Sequence, residues 1–174
     1  MMSMTDAILR EFDNEAGTTR RVLERVPADK LEWRPHPKSM SLGVLALHVA
    51  ASPGVICGWA AEDETHFKGE PSPVPTSTDE ILAAHDHSVT KSKEILSSLG
   101  DEGLQKMWTA KAGGNTLMTM PKAALVRAIV MNHWIHHRGQ LSVYLRLLDV
   151  PVPSIYGPSA DENPFAARAV AASA

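Results

Sequence analysis

"NHWIHHRGQL", residues 132–141, places His133, His136 and His137 within five positions, late in a long run of apolar residues at helical spacing. At about 100° per residue, His133 and His137 stand roughly 40° apart on one helix face. That is the spacing by which one helix offers two imidazole nitrogens to a single metal ion. His136 lies roughly 60° behind His133 and 100° from His137, so it is expected on the flank, outside any ligand set. The run itself opens at Pro121, suited to a first helical turn, and continues to about Asp149. Leu125, Ile129, His133, His137, Leu141, Tyr144 and Leu148 form its stripe, and Pro151 and Pro153 end it.

Three further helices are expected upstream. From Thr5 to Val26, Ile8, Leu9, Phe12, Ala16, Thr19, Leu23 and Val26 recur at helical spacing, and Pro27 stops the pattern. A second helix should start at Ser41 as N-cap and run to about Glu62. Pro53 lies inside it and removes the hydrogen bond to Val49, which predicts a kink one turn past His48. Ser77 to Glu80 reads as a capping box opening a third helix to about Ser98, after the proline-rich "KGEPSPVPTS". Gly100 to Thr119 is a long connection with room for a short strand or hairpin that the pattern does not place. Four long helices, each with an apolar face, predict an all-α antiparallel four-helix bundle with long connecting loops. A single domain over residues 1–165 and a loose Ala-rich tail over 166–174 complete the expected organisation.

The second helix supplies the missing imidazole. His48 sits among Val44, Leu45, Ser52 and Val55, on the side expected to be buried. Three imidazoles facing a core without partners would cost several kcal/mol, roughly, and a divalent ion satisfies them while leaving coordination positions open. Imidazole ligands suit Zn or Ni best among the candidates, with Fe, Mn or Cu as further possibilities. His85 and His87 are expected to be exposed polar residues beside Asp86, and His36 and His66 lie in loops. Cys57, nine residues beyond His48 and nearly opposite in azimuth, is expected to be a buried structural thiol. Gly139, costly inside a helix, fits either close helix packing or room beside the metal.

Composition narrows the function classes. The 174 residues carry 17 basic and 20 acidic side chains, a net charge of −3, without the basic excess of a nucleic-acid binder. One cysteine excludes an internal disulfide and suits a reducing cytoplasm. Charges at Asp6, Arg10, Glu11 and Asp13 argue against a signal peptide, and no membrane-spanning stretch of apolar residues is expected.

"LALHVA" around His48, "NHWIHHRGQL" and then "VPSIYGPSADE" at residues 152–162 resemble the DinB-like family of bacterial four-helix-bundle proteins, over nearly the whole chain. The resemblance implies an up-up-down-down bundle holding a divalent metal through His48, His133 and His137, and a homodimer. Relatives in that family include thiol S-transferases that use bacillithiol or mycothiol, a maleylpyruvate isomerase and metal-dependent hydrolases; the name reflects DNA-damage-inducible expression. The leading expectation is a cytoplasmic, metal-dependent thiol S-transferase acting on small electrophiles. Arg138 or Tyr144 would position the polar groups of the thiol. The alternatives are a metal-dependent hydrolase, for which no carboxylate lies beside the ligands in sequence, and a non-catalytic bundle that binds metal or a stress ligand.

Overall fold

The computed structural model describes residues 2–67 and 73–166. Its long helices are α1 (Met4–Leu23), α2 (Leu42–Ala61) and α3 (Thr78–Gln105), followed by a fourth helical stretch in three parts. That stretch runs through α4 (Lys122–Leu125), a π-helical segment (Val126–Met131) and α5 (Asn132–Leu147). α3 packs against both α1 and α2, and α5 does the same from the other side. Most of the expected tail, from residue 167 on, lies outside the described residues.

Local chemistry accounts for the helix starts. Ser41 Oγ accepts from Val44 N and Ser77 Oγ from Glu80 N, each occupying a donor that the first turn leaves unpaired. Glu80 reaches back to Thr76 N at 2.8 Å, one residue earlier than in the usual reciprocal box. Ser3 caps α1, and the Asp101 carboxylate accepts from Met4 N and Thr5 N, fastening that end to α3.

The all-α expectation is corrected by a three-stranded sheet. β1 (Glu64–His66) pairs parallel with β2 (Met107–Ala112), and β2 pairs antiparallel with β3 (Asn115–Pro121), in the order β1-β2-β3. α3 is the crossover that joins the two parallel strands, so the molecule is a helical bundle with a small mixed sheet. The hairpin turns at Gly113 and Gly114, whose φ values of 53° and 83° lie where a side chain would be strained. β2 directs Trp108 and Ala110 inward, alternating as a half-buried strand does. Trp108 stacks on Trp59 of α2 and donates to Thr65 Oγ1 at 2.9 Å, which seats the sheet on the end of α2.

α2 departs from its expected pattern too. Its twenty residues carry no charged side chain, and by length and composition (mean hydropathy 1.6) the helix is apolar enough to cross a membrane. It is instead the core helix of the bundle, with 61% of that window buried. Leu45, Ala46, Val49, Ala50, Ile56 and Cys57 are buried, whereas Val55 is 51% exposed. The side of α2 that carries His48, Ala51 and Val55 is therefore a half-open wall and not the centre of the core. Helix continuity survives Pro53 because the carbonyl it leaves free, Val49 O, accepts the indole N–H of Trp134 at 2.8 Å.

Candidate metal centre

His48 from α2 and His133 and His137 from α5 meet at one point. Their Nε2 atoms lie 3.4 Å apart for His48 and His133, and 3.0 Å apart for His133 and His137. One ligating nitrogen from each ring falls within 4.8 Å of the other two. The rings are nearly perpendicular to one another, with interplanar angles of 81° to 86° and centroids 4.4 to 5.0 Å apart. An ion about 2.1 Å from each nitrogen, in tetrahedral or octahedral geometry, would hold them about 3.0–3.4 Å apart. The spacing fits a divalent cation on three imidazoles. His136 is exposed and stands outside this set, with its ring edge-on to His137.

Electrostatics favour the ligating form of each ring. Burial and the facing His137, His48 and His136 push His133 down to about 4. His48 is lowered by burial and then by His137. His137 is lowered by burial against an opposing contribution from Gln140. All three are neutral at pH 7, and neutral imidazole is what a metal binds. Gln140 Oε1 can only accept, so at 2.7 Å it takes the proton of His137 Nδ1 and leaves Nε2 with its lone pair toward the centre. Gln140 stood inside the quoted stretch, three residues beyond His137, but its role emerges only with the ring orientation.

A cavity of about 380 Å³ opens beside two of the three rings. His48 and His133 line it together with Val44, Leu47, Ala51, Ser52, Val55, Ile56, Trp59, Pro73 and Ile129, and His137 does not. Ile129 comes from the π-helical segment, which no proline or glycine in the sequence marks. Wide π turns of this kind recur near functional sites. Among the described residues no carboxylate, lysine or arginine lines the cavity.

Other expected participants are placed elsewhere. Arg138 is 1% exposed and turned away from the histidines. Its guanidinium pairs with Glu15 Oε2 at 2.6 Å, donates to Thr19 Oγ1 at 3.1 Å and to Tyr156 Oη at 2.6 Å. Tyr156 Oη donates in turn to Glu15 Oε2, closing a partly buried network that ties α1 and the 150–166 segment to α5. Arg138 is therefore a structural cation, because its partners surround it on the far side of the helix. Tyr144 packs edge-on to Trp33 and donates to Met40 O at 3.4 Å.

His85 corrects the expectation of exposure. It is 2% exposed between α3 and α1, near Trp134, and neither ring nitrogen has a hydrogen-bond partner among the described residues. His87 is exposed as expected. Cys57 is buried, which pushes its thiol up to about 11 and keeps it protonated. A Cβ at Gly139 would meet nothing within 4 Å, so close packing is not what keeps that position small.

A bundle of this topology with three converging histidines defines a class, and the sequence comparison gives the family. A model of the DinB family matches residues 1–165, and the chain belongs to that family. YrdA of Bacillus subtilis (strain 168), an uncharacterized protein, is 27% identical over 168 residues, 93% of either chain. The crystal structure of a DinB-like protein from Bacillus cereus ATCC 10987 matches with a TM-score of 0.71 and 26% identity, over 90% of this chain and 100% of that one. YjoA, a DinB-like protein of Bacillus subtilis, matches with a TM-score of 0.63 over 83% of this chain and 96% of its own, at 22% identity, a likeness of fold alone.

Proposed function

We propose that this protein is a metal-dependent enzyme of the thiol S-transferase type, with Zn or Ni held by His48, His133 and His137. The observation that carries the reading is three neutral imidazoles converging at the edge of an apolar cavity that no carboxylate lines among the described residues. A divalent ion there supplies positive charge that keeps a small thiol deprotonated near neutral pH, with coordination positions left over. The chain's own residues do the rest. His48, His133 and His137 hold the ion from two helices, and Gln140 fixes the ring of His137. The apolar wall keeps water away from an electrophilic carbon. The reaction class is substitution at that carbon: the thiol proton leaves to solvent, a C–S bond forms, and the bond to the leaving group breaks with its electron pair.

A hydrolase would want a general base for its water, and the absence of a carboxylate from the described lining weighs against it. The test is elemental analysis of untagged protein, followed by consumption of 4-nitrobenzyl chloride with and without added thiol. Loss of the chloride that requires thiol and saturates with it is the expected result. Turnover of esters or amides with water alone would overturn the reading.

A further inference from the structure

The three histidines have two unlike sides. His48 and His133 line the cavity, while His137 lies outside its lining and directs Nδ1 to Gln140, which is exposed. Small thiols that rely on charged or hydroxylated groups find no lysine or arginine and few hydrogen-bonding groups among the described residues of the cavity. Its wall is aliphatic and indole, from Val44, Leu47, Ala51, Val55, Trp59 and Ile129. Apart from the histidines, the Ser52 hydroxyl and the Trp59 indole N–H are the side-chain hydrogen-bonding groups in the lining among the described residues, and of the two only the hydroxyl belongs to a residue one helical turn from a candidate ligand. Ser52 follows His48 by one helical turn, about 6 Å along α2 and on the same face. The residue is 6% exposed, and its hydroxyl has no partner among the described residues. A serine hydroxyl turns among three staggered positions, so it can meet an occupant of the wall it belongs to.

We infer that the cavity is the seat of the electrophilic co-substrate: an uncharged molecule with an apolar body and one hydrogen-bonding group, which Ser52 Oγ recognises. The thiol then reaches the centre from the open His137 side, and the two substrates are sorted by polarity before they meet. At about 380 Å³ the cavity holds a small substituted aromatic or branched aliphatic molecule. In the metal-free protein a carboxylate buried there would meet no counter-ion among the described residues, so anions bind weakly.

This inference rests on the transferase reading only in naming the occupant the electrophile, and its test uses binding without thiol. Acetophenone, ethylbenzene and benzoate share one ring and differ in the attached group: a hydrogen-bond acceptor, a purely apolar chain and a charge. Each is titrated into the full-length protein after chelation, so that benzoate has no cation to bind, with backbone and Trp59 indole resonances as the readout. Acetophenone and ethylbenzene are expected to shift Ala51, Val55 and Trp59, with benzoate at least tenfold weaker. Ser52→Ala, a substitution a helix tolerates, should weaken acetophenone about five- to tenfold and leave ethylbenzene unchanged. Ala51→Leu, which narrows the cavity, should weaken both, with the circular dichroism spectrum retained as the check on folding. The inference is overturned if benzoate binds as tightly as acetophenone or if none of the probes binds. It is equally overturned if Ser52→Ala spares acetophenone or weakens both neutral probes alike. Probe binding that persists in a protein with no thiol-dependent turnover would refute the transferase reading and leave the cavity assignment standing.

Discussion

Trp134 Nε1 donates to Val49 O at 2.8 Å, the carbonyl that Pro53 leaves without a helical donor. Each residue is the chain neighbour of a candidate ligand: Val49 follows His48, and Trp134 follows His133. The proline therefore creates an acceptor, and the indole across the interface uses it to fix α2 against α5 where the histidines meet.

Trp134→Phe should cost about 1–3 kcal/mol, because it leaves a buried carbonyl without a partner. In a Pro53→Ala background the new N–H can satisfy Val49 O within the helix, so the same substitution should cost less. A double-mutant cycle on urea midpoints is expected to give a coupling of about 1 kcal/mol. Strict additivity would mean that the hydrogen bond contributes nothing. The ring contact of Trp134 with Phe12, at 5.1 Å between centroids, is largely preserved by phenylalanine and should not enter the coupling.

Loss of one ligand tests the centre. His133→Ala leaves His48 and His137, and divalent metal affinity should fall by about a hundredfold or more, as judged by competition with a chromogenic chelator. For the unsubstituted protein, metal at a hundred times its Kd should add about 2.7 kcal/mol of stability and raise the Tm. Chelation should reverse that gain without loss of the helical signal, since Phe12, Leu45, Ile81, Leu96 and Leu141 form a core that does not depend on the ion. An identical Tm with and without metal would speak against a site preformed in the native state.

The metal-free protein should lose stability as the pH falls from about 6.5 to about 4. In the unfolded chain His133 binds its proton near 6.5, but in the native state only near 4. Between those values the unfolded state holds more protons, so acid favours it. The contribution is complete above pH 6.5, declines through the window and levels off below it. His48, His137 and His85, all lowered first by burial, act in the same direction. Denaturation curves across that range should show the decline, with a shallower slope in His133→Ala. A pH-independent stability would contradict the burial of these rings as neutral species.

The sequence carried the centre further than it carried the fold. Histidines four apart on one helix and a third on an apolar helix are legible because helical geometry alone decides whether they can converge. Ser41 and Ser77 were legible for the same local reason. β1 was not, since "ETH" is three residues long and acquires strand character only by pairing with Thr109, Ala110 and Lys111 far along the chain. The hairpin did leave a signal: "WTAKAGGNTLMTM" alternates around two glycines, as a two-residue turn requires. Arg138 was misread because a charged residue beside metal ligands suggests substrate binding, and only the placement of Glu15 and Tyr156 reveals the opposite side as its partner.

Arg138→Met tests that reassignment. Glu15, whose side chain is 11% exposed, would lose its counter-ion, and breaking a buried pair on one side costs about 3–5 kcal/mol. Metal affinity of the folded variant should stay within about twofold of the parent, because none of the bonds of the guanidinium reaches the histidines. The double variant Glu15→Leu with Arg138→Met should recover part of the loss, since neither charge is then left alone. Metal binding abolished in a variant that remains folded would restore Arg138 to the site.

Gln140 gives the finest test of the centre. Its carboxamide oxygen holds the Nδ1 proton of His137, and with it the tautomer that presents Nε2 to a metal. Gln140→Leu removes the acceptor and should lower metal affinity about tenfold, the small end of such effects, because the side chain is exposed and water can replace it. Gln140→Glu keeps an acceptor at the same reach and adds negative charge, so affinity should be retained or rise. The His137 ring nitrogens should report the difference directly in ¹⁵N spectra of the metal-free protein, with Nδ1 protonated in the parent and in Gln140→Glu, and a mixture of tautomers in Gln140→Leu. Equal metal affinities for the leucine and glutamate variants would mean that the hydrogen bond orients nothing, and that the convergence of His137 on His48 and His133 is set by the packing of α5 alone.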